Sequence, residues 1–100
     1  MSYANVEMKI VQWSTARRII QNSTAEAQLL KAVSEMGELA DATIKNDKDE
    51  IVDAVGDVMV CLVNYCAIQD IDLVSCMDSA YSQIKDRKGT LLSNGVFVKE

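Results

Sequence analysis

The chain predicts an all-α fold: a four-helix antiparallel bundle, completed by oligomerisation, with a short extended C-terminal tail. Three observations carry this expectation. Proline is absent and only four glycines occur in 100 residues, so little in the composition interrupts long helices. Apolar residues recur at three- and four-residue steps in four separate segments. The polar breaks between the segments are short, which favours antiparallel neighbours.

In the first segment Val6, Ile10, Trp13, Ala16 and Ile20 share one helical face, and Gln21-Asn22-Ser23 interrupts it. Ser23 with Glu26 reads as a capping box of the S-x-x-E type. Leu29, Leu30, Val33, Met36, Leu39, Ala40 and Thr43 then carry a second helix to about Lys45. A polar break follows, with Asp47 and Glu50 as a weaker cap pair. The third helix runs from about Lys48 to Gln69. Its β-branched content would suit a strand, but it is too long for one and its acidic residues keep helical spacing. Asp70-Ile71-Asp72 breaks the chain again, and Leu73, Met77, Ala80, Tyr81 and Ile84 mark a fourth helix ending near Lys85. The remainder reads as a turn and an extended segment, with the tight turn at Asn94-Gly95.

Size and charge bound the rest. One hundred residues, 49% of them hydrophobic, predict a single domain spanning 1–100, near the size at which self-association completes burial. The net charge of −5 argues against nucleic acid as a partner, since phosphates call for a basic surface. The N-terminus lacks a basic region followed by an apolar one. No stretch approaches the ~18 uninterrupted apolar residues of a membrane span, so a cytoplasmic chain with no membrane partner is expected. Histidine is absent, which rules out Ser-His-Asp triads, Cys-His pairs, His-ligated zinc and E-x-x-H di-iron sites. Cys61, Cys66 and Cys76 are odd in number and show no C-x-x-C spacing, so they read as reduced core thiols.

The carboxylates are the unusual feature. Glu50, Asp53, Asp57 and, further on, Asn64 form a polar stripe on the third helix, while Ile51, Val55, Val58, Leu62 and Tyr65 form an apolar one. Glu35 and Glu38 are neighbours on the second helix, and the same stripe runs back to Lys31 and Gln28. Acidic stripes are usually solvated faces. Here Val52, Met59, Val60 and Val63 leave the third helix apolar around most of its circumference, so the stripe must lie in or beside the bundle interior. Clustered like charges repel by roughly 1 kcal/mol per pair in water and about 4 at an effective dielectric of 20. They want a counter-ion, and all-oxygen donors select Mg²⁺ or Mn²⁺. Gly37 and Gly56, each inside a helix beside a carboxylate, read either as room for a ligand or as tight helix packing.

The segments EMGELADA, EIVDAVGDVMV, IDL and IKDRKGTLLSNGVFVKE together resemble the MazG-like nucleoside triphosphate pyrophosphohydrolases, an all-α family with an E-x-x-E and E-x-x-D metal motif. The likeness runs from about Gln28 to the C-terminus. Glu35-x-x-Glu38 matches the first motif directly. The second departs from the pattern: Glu50-x-x-Asp53 fits literally, whereas Asp57 sits in the family's usual context with Ala54 where Glu would stand. Asp57 with Asp53 beside it is the favoured ligand pair, with Glu50 as a further candidate.

The resemblance implies Mg²⁺-dependent hydrolysis of an NTP or dNTP between the α- and β-phosphates. Glu35 or Glu38 would orient or deprotonate the attacking water. Lys31, Lys85, Arg87 and Lys88 would contact phosphates; the last three also suit a helix C-terminus as plain dipole partners. Trp13, Asn64 and Tyr65 are candidate contacts for base or sugar, with a core role the alternative for Trp13. Rival expectations are a phosphoribosyl-ATP pyrophosphohydrolase-like enzyme and a non-enzymatic helical module that binds metal only to stabilise a homodimer or homotetramer.

Overall fold

The computed structural model describes residues Met1–Glu100. Five helices are followed by a two-stranded hairpin: α1 (Tyr3–Ala16), α2 (Ile19–Asn22), α3 (Ala25–Lys45), α4 (Lys48–Ile68), α5 (Leu73–Ile84), β1 (Gly89–Leu91) and β2 (Phe97–Lys99). The expected all-α fold holds. α4 is its hub, touching α1, α2, α3 and α5, whereas α3 touches only α4. This explains why α4 is apolar around most of its circumference. It is also long and apolar enough by composition to cross a membrane, although its first half carries Glu50, Asp53 and Asp57. A central bundle helix has the same composition.

Each long helix starts on a side-chain cap that satisfies an otherwise orphaned backbone donor. Ser2 Oγ accepts from the Asn5 N–H at 3.1 Å, Thr24 Oγ1 from Ala27 at 3.1 Å, Asp47 Oδ1 from Glu50 at 3.2 Å and Asp72 Oδ1 from Ser75 at 2.7 Å. The second long helix is thus capped by Thr24 and not by Ser23, whose hydroxyl instead accepts from Gln28 Nε2 at 3.0 Å. The first helix also ends earlier than its apolar spacing suggests. Arg18 adopts a left-handed backbone (φ 64°), and the single turn of α2 then packs on α4.

The core is built from small side chains. Ala32, Ala42, Ala54, Val58, Cys61, Val63 and Cys66 are buried, and Ser14 is fully buried on α1. Such residues permit close helix approach. All three cysteines are free, but only Cys61 and Cys66 are core thiols, because Cys76 is exposed on α5. Burial, reinforced by the adjacent Cys76, pushes the Cys66 thiol up to about 11. The Glu7 carboxylate of α1 accepts from the backbone N–H groups of both Leu73 and Val74, so it caps the start of α5 from a distant part of the chain.

The tail is more ordered than a plain extended segment. β1 and β2 pair antiparallel, with Gly89 opposite Lys99 and Leu91 opposite Phe97. The turn falls where expected. Gly95 has φ 89°, its N–H donates to the Leu92 carbonyl at 2.9 Å, and Asn94 Oδ1 accepts from Val96 at 3.0 Å. Gly89 is required because the Phe97 ring and the Val98 carbonyl occupy the space of a β-carbon. Gly37 and Gly56 differ: nothing lies within 4 Å of where a β-carbon would be, so neither serves helix packing within one chain.

Candidate active site

α3 and α4 form an antiparallel pair joined through Asn46 and Asp47. Asn46 takes the left-handed conformation (φ 54°) that closes α3, and Asp47 caps α4. This tight connection sets the second E-x-x-D segment against the first E-x-x-E segment. Between the two helices lies a cleft of about 290 Å³ lined by Glu38, Asp41 and Lys45 of α3 and by Glu50, Asp53, Ala54 and Asp57 of α4. Five carboxylates and one ammonium group thus face a single opening. The carboxylates line its walls, and no three of them meet at one point.

Ala54 is buried against α3, so its small side chain forms part of the wall where a Glu would protrude. Glu50, Asp53 and Asp57 share the α4 side of the cleft because they are three and four residues apart. All three are exposed and reachable by a ligand.

Glu35 lies one turn from the cleft lining and is 7% exposed. Its Oε1 accepts an ion pair from Lys31 Nζ at 3.2 Å, while Oε2 is buried with no hydrogen-bond partner. A buried carboxylate oxygen with nothing to bind is costly, and it marks a place where a cation, a water or a substrate group completes the structure. Glu38 is held above the ordinary carboxylate value, first by the neighbouring Glu35 carboxylate, then by partial desolvation and by the charge of Asp57 across the cleft. Glu35 is correspondingly lowered, first by the neighbouring Glu38 carboxyl and then by Lys31. The two glutamates and Asp57 therefore share one electrostatic neighbourhood. Cys61 sits in it too, its thiol raised by burial and then by Glu35.

Residues 23–91 match the family model described as the MazG nucleotide pyrophosphohydrolase domain. The chain belongs to this family. The match covers α3, α4 and α5 and thus both walls of the MazG cleft; α1 precedes it. A curated relative, named an uncharacterized 18.2 kDa protein in the rep-hol intergenic region of Haemophilus phage HP1, is 37% identical over 65 residues. That segment is 65% of this chain and 40% of the relative, so the match spans well under half the length of the phage protein. No solved structure matches.

Several expected contacts lie elsewhere in this MazG domain. Lys31 is engaged by Glu35 and does not line the cleft. Asn64 is buried and donates through Nδ2 to Gln28 Oε1 at 3.4 Å, because two more helical turns beyond Asp57 bring it opposite the start of α3. Lys85, Arg87 and Lys88 follow α5, which touches α1 and α4 and not α3, so one chain does not bring them to the carboxylates. Asp41 and Lys45 went unread, although Asp41 stands three residues after Glu38 and Lys45 four residues after Asp41, which extends the same stripe.

Proposed function

We propose that the chain hydrolyses a nucleoside or deoxynucleoside triphosphate to the monophosphate and pyrophosphate, with Mg²⁺ or Mn²⁺, in the cytoplasm. The observation that carries this reading is the α3–α4 cleft, where Glu38 faces Asp53 and Asp57 beside a buried Glu35 oxygen that lacks a partner. The donor set suits a hard divalent cation, being entirely oxygen and strongly acidic. Glu35, Glu38, Asp53 and Asp57, with Glu50 at the rim, are the side chains to hold it. The bound cation would offset triphosphate charge and polarise the anhydride.

The remaining steps belong to side chains of the cleft. Glu35 or Glu38 orients the water and accepts its proton as the water oxygen attacks phosphorus. The α–β anhydride bond breaks, and the electron pair leaves on the pyrophosphate or monophosphate oxygen. Lys45 is the cleft's own ammonium group and replaces the tail residues as the phosphate contact within one chain.

The chain acts as a homodimer or homotetramer in this reading. Only 11 of 100 residues are buried, and α3, which touches α4 alone, leaves Leu30 70%, Val33 61% and Ile44 84% exposed. Gly37 lies on this face, where its missing side chain leaves room for another helix. Light scattering at micromolar concentration should give two or four times the 11.0 kDa chain mass. A monomer overturns this part.

The activity is tested by pyrophosphate detection over a panel of NTPs, dNTPs and phosphoribosyl-ATP. Glu38→Gln and Asp57→Asn should each lower turnover about 100-fold or more while the helical circular dichroism persists. Orthophosphate as the sole product, or full activity in excess EDTA, refutes the reading. Metal-dependent melting without turnover of any nucleotide supports the non-enzymatic module instead.

A further inference from the structure

The C-terminal hairpin packs on nothing in its own chain. Neither β1 nor β2 touches a helix, and Leu91, Leu92, Val96, Phe97 and Val98 are all exposed, Leu91 at 68%. Leu91 and Phe97 pair on one face of the hairpin and Val98 lies on the other, so both faces are apolar. A lone two-stranded hairpin is marginal in water, and apolar faces left in solvent weaken it further. The projecting arm contributes to a radius of gyration of 15.9 Å, against about 13 Å for a compact domain of this length. What covers the arm lies outside the chain.

Near the opposite end of α5 is an unfilled groove of about 500 Å³. Ala4, Met8 and Val11 of α1 form one wall, and Ala67, Ile71 and Val74 form the other. Glu7 and Asp72 also line it, and Asp70 stands in the adjoining depression that shares Ile71 and Asp72; no basic side chain lines either. Charge is segregated along the chain to match. From Lys85 onward, Lys85, Arg87, Lys88 and Lys99 stand against Asp86 and Glu100, a net +2, so the −5 of the whole chain leaves −7 on residues 1–84. A chain's own arm does not fill its own groove. It leaves from Ile84, about 17 Å along α5 from Leu73, and stands clear of every helix.

We propose that two copies of the chain exchange arms, the C-terminal hairpin of each seating in the α1–α4–α5 groove of the other. The inference rests on the self-association reading and is independent of the hydrolytic one. Seating removes the hairpin's apolar side chains and the groove's aliphatic walls from water together. It also brings the basic segment to the acidic corner, which fixes the orientation of the arm. The exchange is reciprocal, so both arms and both grooves are filled at once and the contact closes on two chains. The outer face of α3 is left for a second pairing. The turn and β2 lie beyond residue 91, where the family match ends, so most of the arm is a feature of this chain outside the matched segment.

Light scattering of the full chain at micromolar concentration tests the exchange. Phe97→Asp and Leu91→Asp on the arm, and Met8→Glu in the groove, should each halve the mass of the wild-type assembly while the helical circular dichroism persists. Mixing Phe97→Asp with Met8→Glu in equal amounts should raise the mass back toward the wild-type value, because the intact arm of one variant meets the intact groove of the other. A monomeric wild type refutes self-association and the exchange with it. In an associated wild type, an unchanged mass in Phe97→Asp overturns the exchange alone. So does a full-sized Met8→Glu assembly, which would mean that the arms pair with each other, and so does a mixture that stays at half the mass.

Discussion

Removing the Glu7 carboxylate should destabilise the fold far more than an ordinary surface substitution. This side chain reaches from α1 to the first turn of α5 and accepts from the backbone N–H groups of Leu73 and Val74, the latter at 3.2 Å. Both donors are orphans of a helix start, and both residues are half-buried, so water replaces the lost acceptor poorly. Loss of a helix N-terminal acceptor costs about 0.5–2 kcal/mol, and the attraction of an anion to the positive end of the helix adds about 0.3–1. Asp72 still caps Ser75 and limits the damage. Together these give roughly 2 kcal/mol for Glu7→Ala. Glu7→Gln retains one acceptor oxygen without the charge and should cost about half as much. At about 4–8 °C per kcal/mol for a domain of this size, Tm should fall by roughly 8–16 °C in Glu7→Ala. Urea unfolding measures this, with wild type and variant compared at one protein concentration so that any association of subunits affects both alike. A change below about 0.5 kcal/mol in Glu7→Ala would refute the idea that this carboxylate anchors α5.

Three further outcomes are expected. The Ser75 N–H hydrogen bond lowers the Asp72 carboxyl below its ordinary value of 3.8, so its stabilisation is full above that value and disappears as pH falls through the lowered one. The Tm advantage of wild type over Asp72→Asn should therefore shrink to nothing in strongly acid buffer; a constant gap counts against it. Iodoacetamide at pH 8 should label Cys76 alone in the folded protein, because Cys76 is exposed while Cys61 and Cys66 are buried and raised; mass spectrometry identifies the site, and rapid labelling of Cys66 contradicts the packing of α4 on α5. Gly89→Ala should open the terminal hairpin through collision with Phe97 and Val98. Amide exchange at Leu92 and Glu100, which bond to Val96 and Lys88, should accelerate while exchange along α3 and α4 stays unchanged.

What could be read from the chain beforehand follows the range of each interaction. The four long helices were legible because their apolar spacing is local, and the Asp47 cap because it lies three residues from its donor. The Thr24 cap was missed by one position, since Ser23 and Thr24 offer equivalent hydroxyls and only backbone conformation selects between them. The break at Arg18 has no local signature; it is imposed by the packing of α2 on α4. In the site, Glu38, Glu50, Asp53 and Asp57 were found by helical phase, and the same rule extends to Asp41. Phase alone could not place Asn64 in the interior opposite Gln28, because that depends on how far along α3 the stripe stays open, whereas the Lys31–Glu35 pair is four residues apart and follows from phase directly. Lys85, Arg87 and Lys88 were singled out by charge, which carries no positional information. Glu7 was invisible, as its bonds span 66 and 67 residues.

The two-residue link between α3 and α4 makes this helix pair a pair of tweezers with its pivot at Asn46-Asp47. At about 1.5 Å per residue, Glu38 stands roughly 13 Å from that pivot and Gln28 roughly 28 Å. Drawing the two arms together by 1 Å at the carboxylates would move their far ends by about 2 Å. There the Gln28 amide meets Asn64 across a long 3.4 Å contact, beside an Asn64 oxygen that has no partner. Any closing movement at the carboxylates would in this way be amplified at the polar contact between the far ends of the two helices. The Gln28 and Asn64 side-chain amides would make NMR reporters of it, remote from the chemistry itself.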